Sequence, residues 1–161
     1  MKKLEITIPG MGHFELEHLL LDLNGTLSTR GEIIAGIQPR LQKLRKNLSI
    51  QMITADTRGT GQQIADTLGI DLYPLEQGGQ QTEAEQKAKL VQSLEKQTVV
   101  SIGNGNNDRL MLNESAISIA VIGQEGLATS ILSTAQVVVT SILDALDLLL
   151  FPASLIATLR N

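Results

Sequence analysis

Residues 19–28 read Leu-Leu-Leu-Asp-Leu-Asn-Gly-Thr-Leu-Ser, and this stretch decides the fold. An apolar run followed at once by a carboxylate and a glycine is typical of a buried parallel strand that ends in a tight turn. Ligands of open α/β sheets bind beyond the carboxyl ends of such strands. The sequence therefore predicts that Asp22 stands at the edge of a crevice, where the following backbone N–H groups can face an anion. The alternative is that Asp22 only caps the turn.

Strand signals alternate with helix signals along the chain, which indicates an α/β fold built from βαβ units with a mainly parallel sheet. After the first core strand, apolar runs predict further strands at residues 49–53, 71–73, 98–102, 117–122 and 137–139. Capping-box spacings that begin at Thr82 and Ser141 predict the starts of two helices. The first of these helices is expected to run to about Lys96, and the second is expected to be the last helix.

The segments around the central strand predict two small hairpins. Residues 3–8 and 14–17 alternate apolar and polar side chains around Pro-Gly-Met-Gly, which predicts an N-terminal β-hairpin. Arg30 and Gly31 suit the turn of a short flap after the central strand. No linker, internal repeat or low-complexity tract divides the 161 residues, so we expect one domain over residues 1–161.

The composition excludes several classes of function. The only aromatic residues are Phe14, Tyr73 and Phe151, and the net charge is −4, so no nucleic-acid partner is expected. The absence of cysteine excludes disulfides, thiol nucleophiles and cysteine-based zinc sites. Pro152 interrupts the most apolar stretch, residues 148–159, which is too short to span a bilayer. We therefore expect a cytoplasmic protein that does not bind membranes.

Residues 22–27, Asp-Leu-Asn-Gly-Thr-Leu, resemble the first motif of the haloacid dehalogenase (HAD) superfamily. Its phosphatases have Asp-x-Asp-Gly-Thr, and its P-type ATPases have Asp-Lys-Thr-Gly-Thr. The resemblance implies a three-layer Rossmann-like HAD fold in which Asp22 is the nucleophile and is phosphorylated during turnover. It also implies that Gly25 and Thr26 help to bind phosphate.

Three further stretches resemble later HAD motifs in the same order. Thr-Ala-Asp-Thr at residues 54–57 is similar to the Thr-Gly-Asp block of P-type ATPases, which implies that Thr54 and Ala55 bind phosphate. Residues 87–91 resemble the segment with the family lysine, where Lys87 aligns best and Lys89 is the alternative. Gly-Asn-Gly-Asn-Asn-Asp at residues 103–108 resembles the metal-binding loop Gly-Asp-Gly-x-Asn-Asp.

Together these residue types supply what phosphoryl transfer to a carboxylate requires. The reaction needs a nucleophile, a cation that neutralises phosphoryl oxygens, and donors that hold those oxygens in line. Mg²⁺ prefers hard oxygen ligands such as carboxylates, carbonyls and water. The resemblance implies Mg²⁺ as the cofactor, held by Asp22, the backbone carbonyl of Asn24, Asn104 and Asp108.

Two asparagines depart from the HAD phosphatase pattern. Asn24 stands where phosphatases have the aspartate that protonates the leaving group and activates water, and an amide does not exchange a proton usefully at neutral pH. Asn104 stands where the metal loop has its first acid, so metal affinity should fall without vanishing. Two hypotheses follow: a slow Mg²⁺-dependent phosphohydrolase or phosphotransferase that works through an aspartyl-phosphate, or a non-catalytic phosphate-binding or regulatory module.

The spacing of the motifs also predicts the surroundings of the site. The intervals between Asp22 and Thr54 and between Thr54 and Lys87 are too short for a large cap domain or for the ATP-binding domain of a P-type pump. The chain resembles a free-standing relative of the pump's phosphorylation domain. We expect an open site that takes a phosphorylated substrate, either a small molecule or a macromolecule. A homo-oligomer is one arrangement in which a partner subunit would serve as the lid.

Overall fold

The structure is a computed structural model that describes residues 2–56 and 59–161. Met1, Thr57 and Arg58 lie outside these ranges. Thr57, the last residue of the stretch that resembles the Thr-Gly-Asp block, is therefore not among the described residues.

The described elements alternate much as the sequence predicts. The strands are β1 (Leu4–Ile8), β2 (Gly12–Leu16), β3 (His18–Asp22), β4 (Ser28–Thr29), β5 (Glu32–Ile33), β6 (Ser49–Thr54), β7 (Asp71–Pro74), β8 (Val99–Gly103), β9 (Ile117–Val121) and β10 (Val137–Val139). The α-helices are α1 (Ile37–Leu44), α2 (Thr60–Leu68), α3 (Glu83–Ser93), α4 (Arg109–Glu114), α5 (Ile142–Leu150) and α6 (Pro152–Leu159).

A six-stranded parallel sheet organises the chain, in the order β10-β9-β8-β3-β6-β7. β3 is central, and its Leu21 pairs with Met52 of β6 on one side and Ile102 of β8 on the other. After β3 the chain builds outward through β6 and β7, and it then crosses back to β8 and builds in the other direction. The carboxyl ends of β3 and β8 therefore form the topological switch point, where α/β folds place their ligands.

Helices cover both faces of this sheet, which confirms the predicted three-layer architecture. Side chains alternate across a strand, so β3 contributes residues to the hydrophobic core on each face of the sheet. Its buried Leu19 and Leu21 pack in one cluster with residues of α1 and α5, including Leu41 and Leu146. Leu20 points to the opposite face, where it packs with residues of α3 and α4. β1 and β2 pair as the predicted antiparallel N-terminal hairpin.

The helices differ from the prediction in three places. α3 ends at Ser93, and a 3-10 turn at Lys96–Thr98 follows it. The short helix α4 is not among the elements that the sequence predicts. The expected last helix is two helices, because α5 ends before Phe151 and Pro152 starts α6 as its first residue, a position that proline favours.

Within the described part of the chain, no single helix is long and apolar enough to cross a membrane. α5 and α6 reach the required length and composition only together, and the chain bends by 99° between them.

β4 and β5 form a short hairpin, which we call the flap (residues 28–33). Its turn residues Arg30 and Gly31 have φ angles of 51° and 85°, and a left-handed pair of this kind suits a tight hairpin turn. Among the described elements, only the flap and α1 lie between β3 and β6. This agrees with the predicted absence of a large cap domain.

Candidate active site

The centre of the site is a buried lysine between two carboxylates. The Nζ atom of Lys87 lies 2.8 Å from Oδ1 of Asp22 and 2.7 Å from Oδ1 of Asp108. Lys87 is 1% exposed, Asp22 6% and Asp108 0%. Asp22 ends β3, Asp108 follows the loop after β8, and Lys87 reaches them from α3. The chain thus brings three distant segments together at the predicted edge of the sheet.

The start of α3 fixes which lysine faces the sheet. Thr82 caps the helix: its hydroxyl accepts from the backbone N–H of Glu85 at 3.2 Å, and the Glu85 carboxylate accepts from the N–H of Thr82 at 2.7 Å. With the helix begun there, Lys87 falls on the buried face. Lys89 is exposed and lines a separate groove. The geometry therefore favours Lys87 over the alternative Lys89.

Burial and the neighbouring charges change the pKa values of Asp22 and Lys87. Burial raises the pKa of Asp22 to about 7, and the negative charge of Asp108 adds to the rise, while Lys87 and the Thr26 hydroxyl oppose it. Burial on its own would lower the pKa of Lys87, but the charges of Asp22 and Asp108 raise it to about 12. Lys87 therefore stays an ammonium ion at neutral pH, and protonation of Asp22 is easier than for an exposed aspartate.

The loop after β8 is folded around the Asp108 carboxylate. Its Oδ2 atom accepts from the backbone N–H groups of Asn104 at 2.9 Å and Gly105 at 3.0 Å. Gly103 leaves the space that this carboxylate occupies, since a Cβ at Gly103 would lie 2.5 Å from Oδ2 of Asp108. The glycine and the aspartate of the predicted metal loop are thus packed directly against each other.

The polar groups of the turn after β3 form hydrogen bonds with other groups of the protein. The Thr26 hydroxyl lies 3.3 Å from Oδ2 of Asp22 and 3.2 Å from Oδ1 of Asn104, and it donates to this pair. The N–H of Gly25 donates to the Ser28 carbonyl at 2.9 Å, and the N–H of Thr26 donates to Leu23 at 3.2 Å. A phosphate bound by these two N–H groups would have to compete with those bonds. Phosphate binding by Gly25 and Thr26 stays a prediction.

A crevice of about 580 Å³ opens above Asp22 and Lys87. It is lined by Asp22, Asn24, Gly31, Thr54, Ala55, Asp56, Thr60, Gln77, Glu83, Lys87, Asn104, Gly105 and Asn107. Thr54 ends β6, and its Oγ1 accepts from the N–H of Asp56 at 3.1 Å. Most of the predicted site residues therefore share one crevice, whereas Gly25, Thr26 and Asp108 lie buried beside or beneath it.

The structure also adds residues to this site that the sequence motifs do not indicate. Glu83 lies one helical turn before Lys87, and its carboxylate accepts from the Asn107 side-chain amide at 2.8 Å. Glu125, from the segment after β9, accepts from the backbone N–H of Arg30 at the tip of the flap. The i, i+4 spacing of Glu83 and Lys87 predicts that both lie on one side of α3, but it does not predict the contact with Asn107. The sequence holds no signal for the contact between Glu125 and Arg30, because the two residues are far apart in the chain.

The available donors fit Mg²⁺ in chemistry, though with reduced charge. The carboxylates of Asp22 and Asp108, the amide oxygen of Asn104 and the carbonyl of Asn24 are all hard oxygen ligands, and Mg²⁺ commonly keeps several waters. Among the described residues, no group of three or more His, Asp or Glu side chains is arranged to hold a metal. Lys87 already neutralises one of the two carboxylate charges. These residues therefore suit a weakly held Mg²⁺ ion.

Two proteins of Methanocaldococcus jannaschii are similar in sequence. The chain is 42% identical over 79 residues to the uncharacterized protein MJ0073, an alignment that covers 47% of this chain and 85% of MJ0073. It is 46% identical over 39 residues to the uncharacterized protein MJ0072, covering 24% of this chain and 89% of MJ0072. No family model matches the chain.

Several solved structures share the fold at low sequence identity. The cobalt-bound deoxy-D-mannose-octulosonate 8-phosphate phosphatase of Haemophilus influenzae superposes with a TM-score of 0.69 at 11% identity, over 86% of this chain and 90% of that one. The 3-deoxy-D-manno-octulosonate 8-phosphate phosphatase of Moraxella catarrhalis gives 0.68 at 18% identity, over 90% and 94%. A protein assigned to the HAD hydrolase family from Streptomyces avermitilis gives 0.66 at 17% identity, over 87% of each chain. The predicted HAD fold is confirmed.

Replacement of Lys87 should reveal how strongly the fold depends on the lysine between the two carboxylates. We expect Lys87→Met to lower the free energy of unfolding by about 3–5 kcal/mol, because it leaves two buried carboxylates without a cation. Lys89→Met on the same helix is the matched control and should change stability by less than about 0.5 kcal/mol. Urea denaturation at pH 8 without divalent metal measures both, and equal losses would contradict a special role for Lys87.

Proposed function

This chain belongs to the family of the Methanocaldococcus proteins MJ0073 and MJ0072 and has the HAD fold, and from this premise we propose that it is a Mg²⁺-dependent phosphohydrolase or phosphotransferase. One observation carries the proposal: the Lys87 ammonium ion is buried between Asp22 and Asp108 at the switch point of the sheet. Buried charges are costly unless they are paired, and perturbed titratable groups in a crevice are typical of functional sites.

In the first step, a carboxylate oxygen of Asp22 attacks the phosphorus atom of a phosphate ester. A bond forms between Asp22 and phosphorus as the bond to the ester oxygen breaks, and the leaving alcohol takes its proton from water. Lys87 keeps Asp22 oriented and supplies positive charge next to the transferred group. Thr54 offers its hydroxyl to the phosphoryl oxygens. When bound, Mg²⁺ supplies further charge neutralisation and favours the ionised form of Asp22.

In the second step, water attacks the phosphorus atom of the aspartyl-phosphate, which releases inorganic phosphate and regenerates Asp22. Asn24 is exposed in the crevice beside Asp22, where a base that activates this water would stand. Its amide can orient water by hydrogen bonding but does not take the proton. General acid–base catalysis is typically worth about 10²–10⁴-fold in rate. Slow dephosphorylation should therefore limit turnover, in the manner of the P-type ATPases that the sequence resembles.

A non-catalytic phosphate-binding module is the second candidate, and specific contacts favour it. Both oxygens of Asp108 are engaged by Lys87 or by backbone N–H groups, and Asn24 and Asn104 are uncharged. The cluster of Asp22, Asp108 and Lys87 has a net charge of about −1 when both carboxylates are ionised, which weakens its attraction for Mg²⁺. Such a module would bind phosphate or its analogues without forming a covalent intermediate.

The substrate must enter from the open side of the crevice. Gly31 of the flap lines the crevice, as do Thr60 at the start of α2 and Gln77 between β7 and α3. A phosphorylated macromolecule can reach such a site directly, and a small phosphorylated molecule can be enclosed if a second copy of the chain covers the opening. Both arrangements belong to this proposal.

The covalent intermediate provides the first test of catalysis. After incubation with Mg²⁺ and ³²P-labelled acetyl phosphate, acid-quenched protein should retain label that hydroxylamine removes, as expected for an acyl phosphate. Asp22→Asn should retain none, and Asp71→Asn, at the opposite end of the sheet, should label normally. If the unmodified protein takes no label and turns over no phosphomonoester, yet binds beryllofluoride or phosphate, the non-catalytic module is correct.

Metal binding is tested separately by thermal stability. Mg²⁺ should raise the unfolding temperature of the unmodified protein with a concentration dependence in the millimolar range, since a ligand stabilises by about RT ln(1 + [L]/Kd). Asp22→Asn and Asp108→Asn should reduce this rise, because each removes one carboxylate charge. Asp71→Asn is again the control, and a rise of equal size in all four proteins would show that Mg²⁺ does not bind at this site.

Substitution of Asn24 tests which step limits the rate. Asn24→Asp should speed dephosphorylation by up to the 10²–10⁴-fold typical of acid–base catalysis, so that less phospho-Asp22 accumulates. Acid quenching of the labelled protein at successive times measures the decay of phospho-Asp22 directly. Fast decay in the unmodified protein, with no gain in the variant, would show that another group activates the water.

A further inference from the structure

The side chain of Asn104 joins two loops, and its orientation is fixed by its neighbours. Its amide nitrogen lies 3.2 Å from the carbonyl oxygen of Gly126, and its Oδ1 lies 3.2 Å from the Thr26 hydroxyl. Because a backbone carbonyl only accepts, the nitrogen must face Gly126. The backbone carbonyl of Asn104 also accepts from the N–H of Ala128 at 2.9 Å. Asn104 is thus bonded through both its side chain and its main chain to residues 122–128, which we call the β9 loop.

The β9 loop in turn contacts the flap and the turn after β3. Oε1 of Glu125 accepts from the N–H of Arg30 at 2.6 Å. Its other oxygen faces Gly25, where a Cβ would lie only 3.0 Å away. Gly123 packs on the Gly25 carbonyl, since a Cβ at Gly123 would be 3.3 Å from that oxygen. The flap tip is therefore tethered to the rest of the site through Glu125.

These contacts explain why an amide suits position 104. An aspartate there would place a carboxylate oxygen against the Gly126 carbonyl, so two acceptors would meet where a donated hydrogen bond now exists. The amide supplies a donor to Gly126 and an acceptor to Thr26 in one side chain. The asparagine at position 104 therefore has a structural role of its own, apart from any role as an uncharged metal ligand.

We propose that Asn104 and Glu125 are positioning residues for the flap. Asn104 holds the β9 loop in place, and Glu125 in that loop holds the Arg30–Gly31 tip over the crevice. Gly31 lines the crevice, so the flap position sets the space left for the leaving group. This last consequence rests on the proposed function, but the tether does not, because it consists only of contacts between residues of this chain.

Limited proteolysis tests the tether without any need for activity. Trypsin cleaves after Arg30, and cleavage requires the flap tip to leave Glu125. Glu125→Ala should speed cleavage at this bond by about three- to tenfold, in line with the loss of one exposed, charge-assisted hydrogen bond. Glu125→Gln keeps an oxygen acceptor and should remain within about threefold of the unmodified protein. Glu125 is exposed, so neither substitution threatens the core.

Asn104→Asp distinguishes a role of Asn104 in holding the β9 loop from a role as a metal ligand. Loss of the tether predicts faster cleavage at Arg30 and faster amide hydrogen exchange in residues 28–33 and 122–128, measured without metal. Asn113→Asp, which adds the same charge at an exposed position of α4, should change neither. If Asn104→Asp strengthens Mg²⁺ binding in the thermal assay and leaves flap exchange unchanged, Asn104 is a weakened metal ligand and the proposal is wrong.

Kinetics then connect the tether to the site, if the proposed activity is present. Glu125→Ala should raise KM for a phosphomonoester more than it lowers kcat, and Glu125→Gln should restore KM, because flap position affects substrate binding rather than the phosphorylation of Asp22. An unchanged cleavage rate at Arg30 in Glu125→Ala would overturn the tether whatever the kinetics. If all proteins are inactive but the cleavage rates differ as expected, only the proposed function fails.

Discussion

The pairing of the Lys87 ammonium ion with two buried carboxylates is the constraint on which the rest of the site depends. An isolated charge at this depth would cost several kcal/mol, and the cluster persists because each member has a partner of opposite charge or a hydrogen-bond donor. The pairing requires the start of α3 to lie beside the carboxyl ends of β3 and β8, so that Lys87 reaches both carboxylates. It also requires Asp108 to be held in place, which the two backbone N–H groups of its own loop achieve. One electrostatic requirement thus fixes three segments relative to one another.

Much of this arrangement could be predicted from local sequence signals. The apolar run before Asp22 predicts a buried strand, and parallel strands align their carboxyl ends, so the motif residues at successive strand ends meet without further information. The choice between Lys87 and Lys89 also has a local signal. Ala84, Ala88 and Val91 form a stripe at helical spacing, and Lys87 falls within that stripe while Lys89 falls outside it. The helix cap at Thr82 then sets the register in which the stripe faces the sheet.

The rest of the site depends on contacts between segments that have no periodic pattern. The bond between Glu125 and Arg30 joins two irregular turns, and neither residue belongs to a motif that predicts the other. The hydrogen bonds from the Gly25 and Thr26 N–H groups to backbone carbonyls are likewise not predicted by any periodic pattern. A glycine and a threonine after a strand suit an anion-binding turn, but the fold of this turn satisfies both groups with backbone carbonyls instead. Local sequence specifies that a tight turn forms, and tertiary context decides which of its donors remain available.

The two asparagines that depart from the HAD phosphatase pattern have different physical meanings. Asn24 is exposed in the crevice, and it forms a backbone bridge with Ser28 that an aspartate could form equally well. Asn104 is enclosed between Thr26 and Gly126, and its donor is used. The loss of charge at position 24 therefore concerns chemistry, whereas the loss at position 104 accompanies the gain of a bond between loops. The amide of Asn104 donates a hydrogen bond to the Gly126 carbonyl, where an aspartate would bring two acceptor oxygens together. A loss of function alone therefore does not account for the asparagine at position 104.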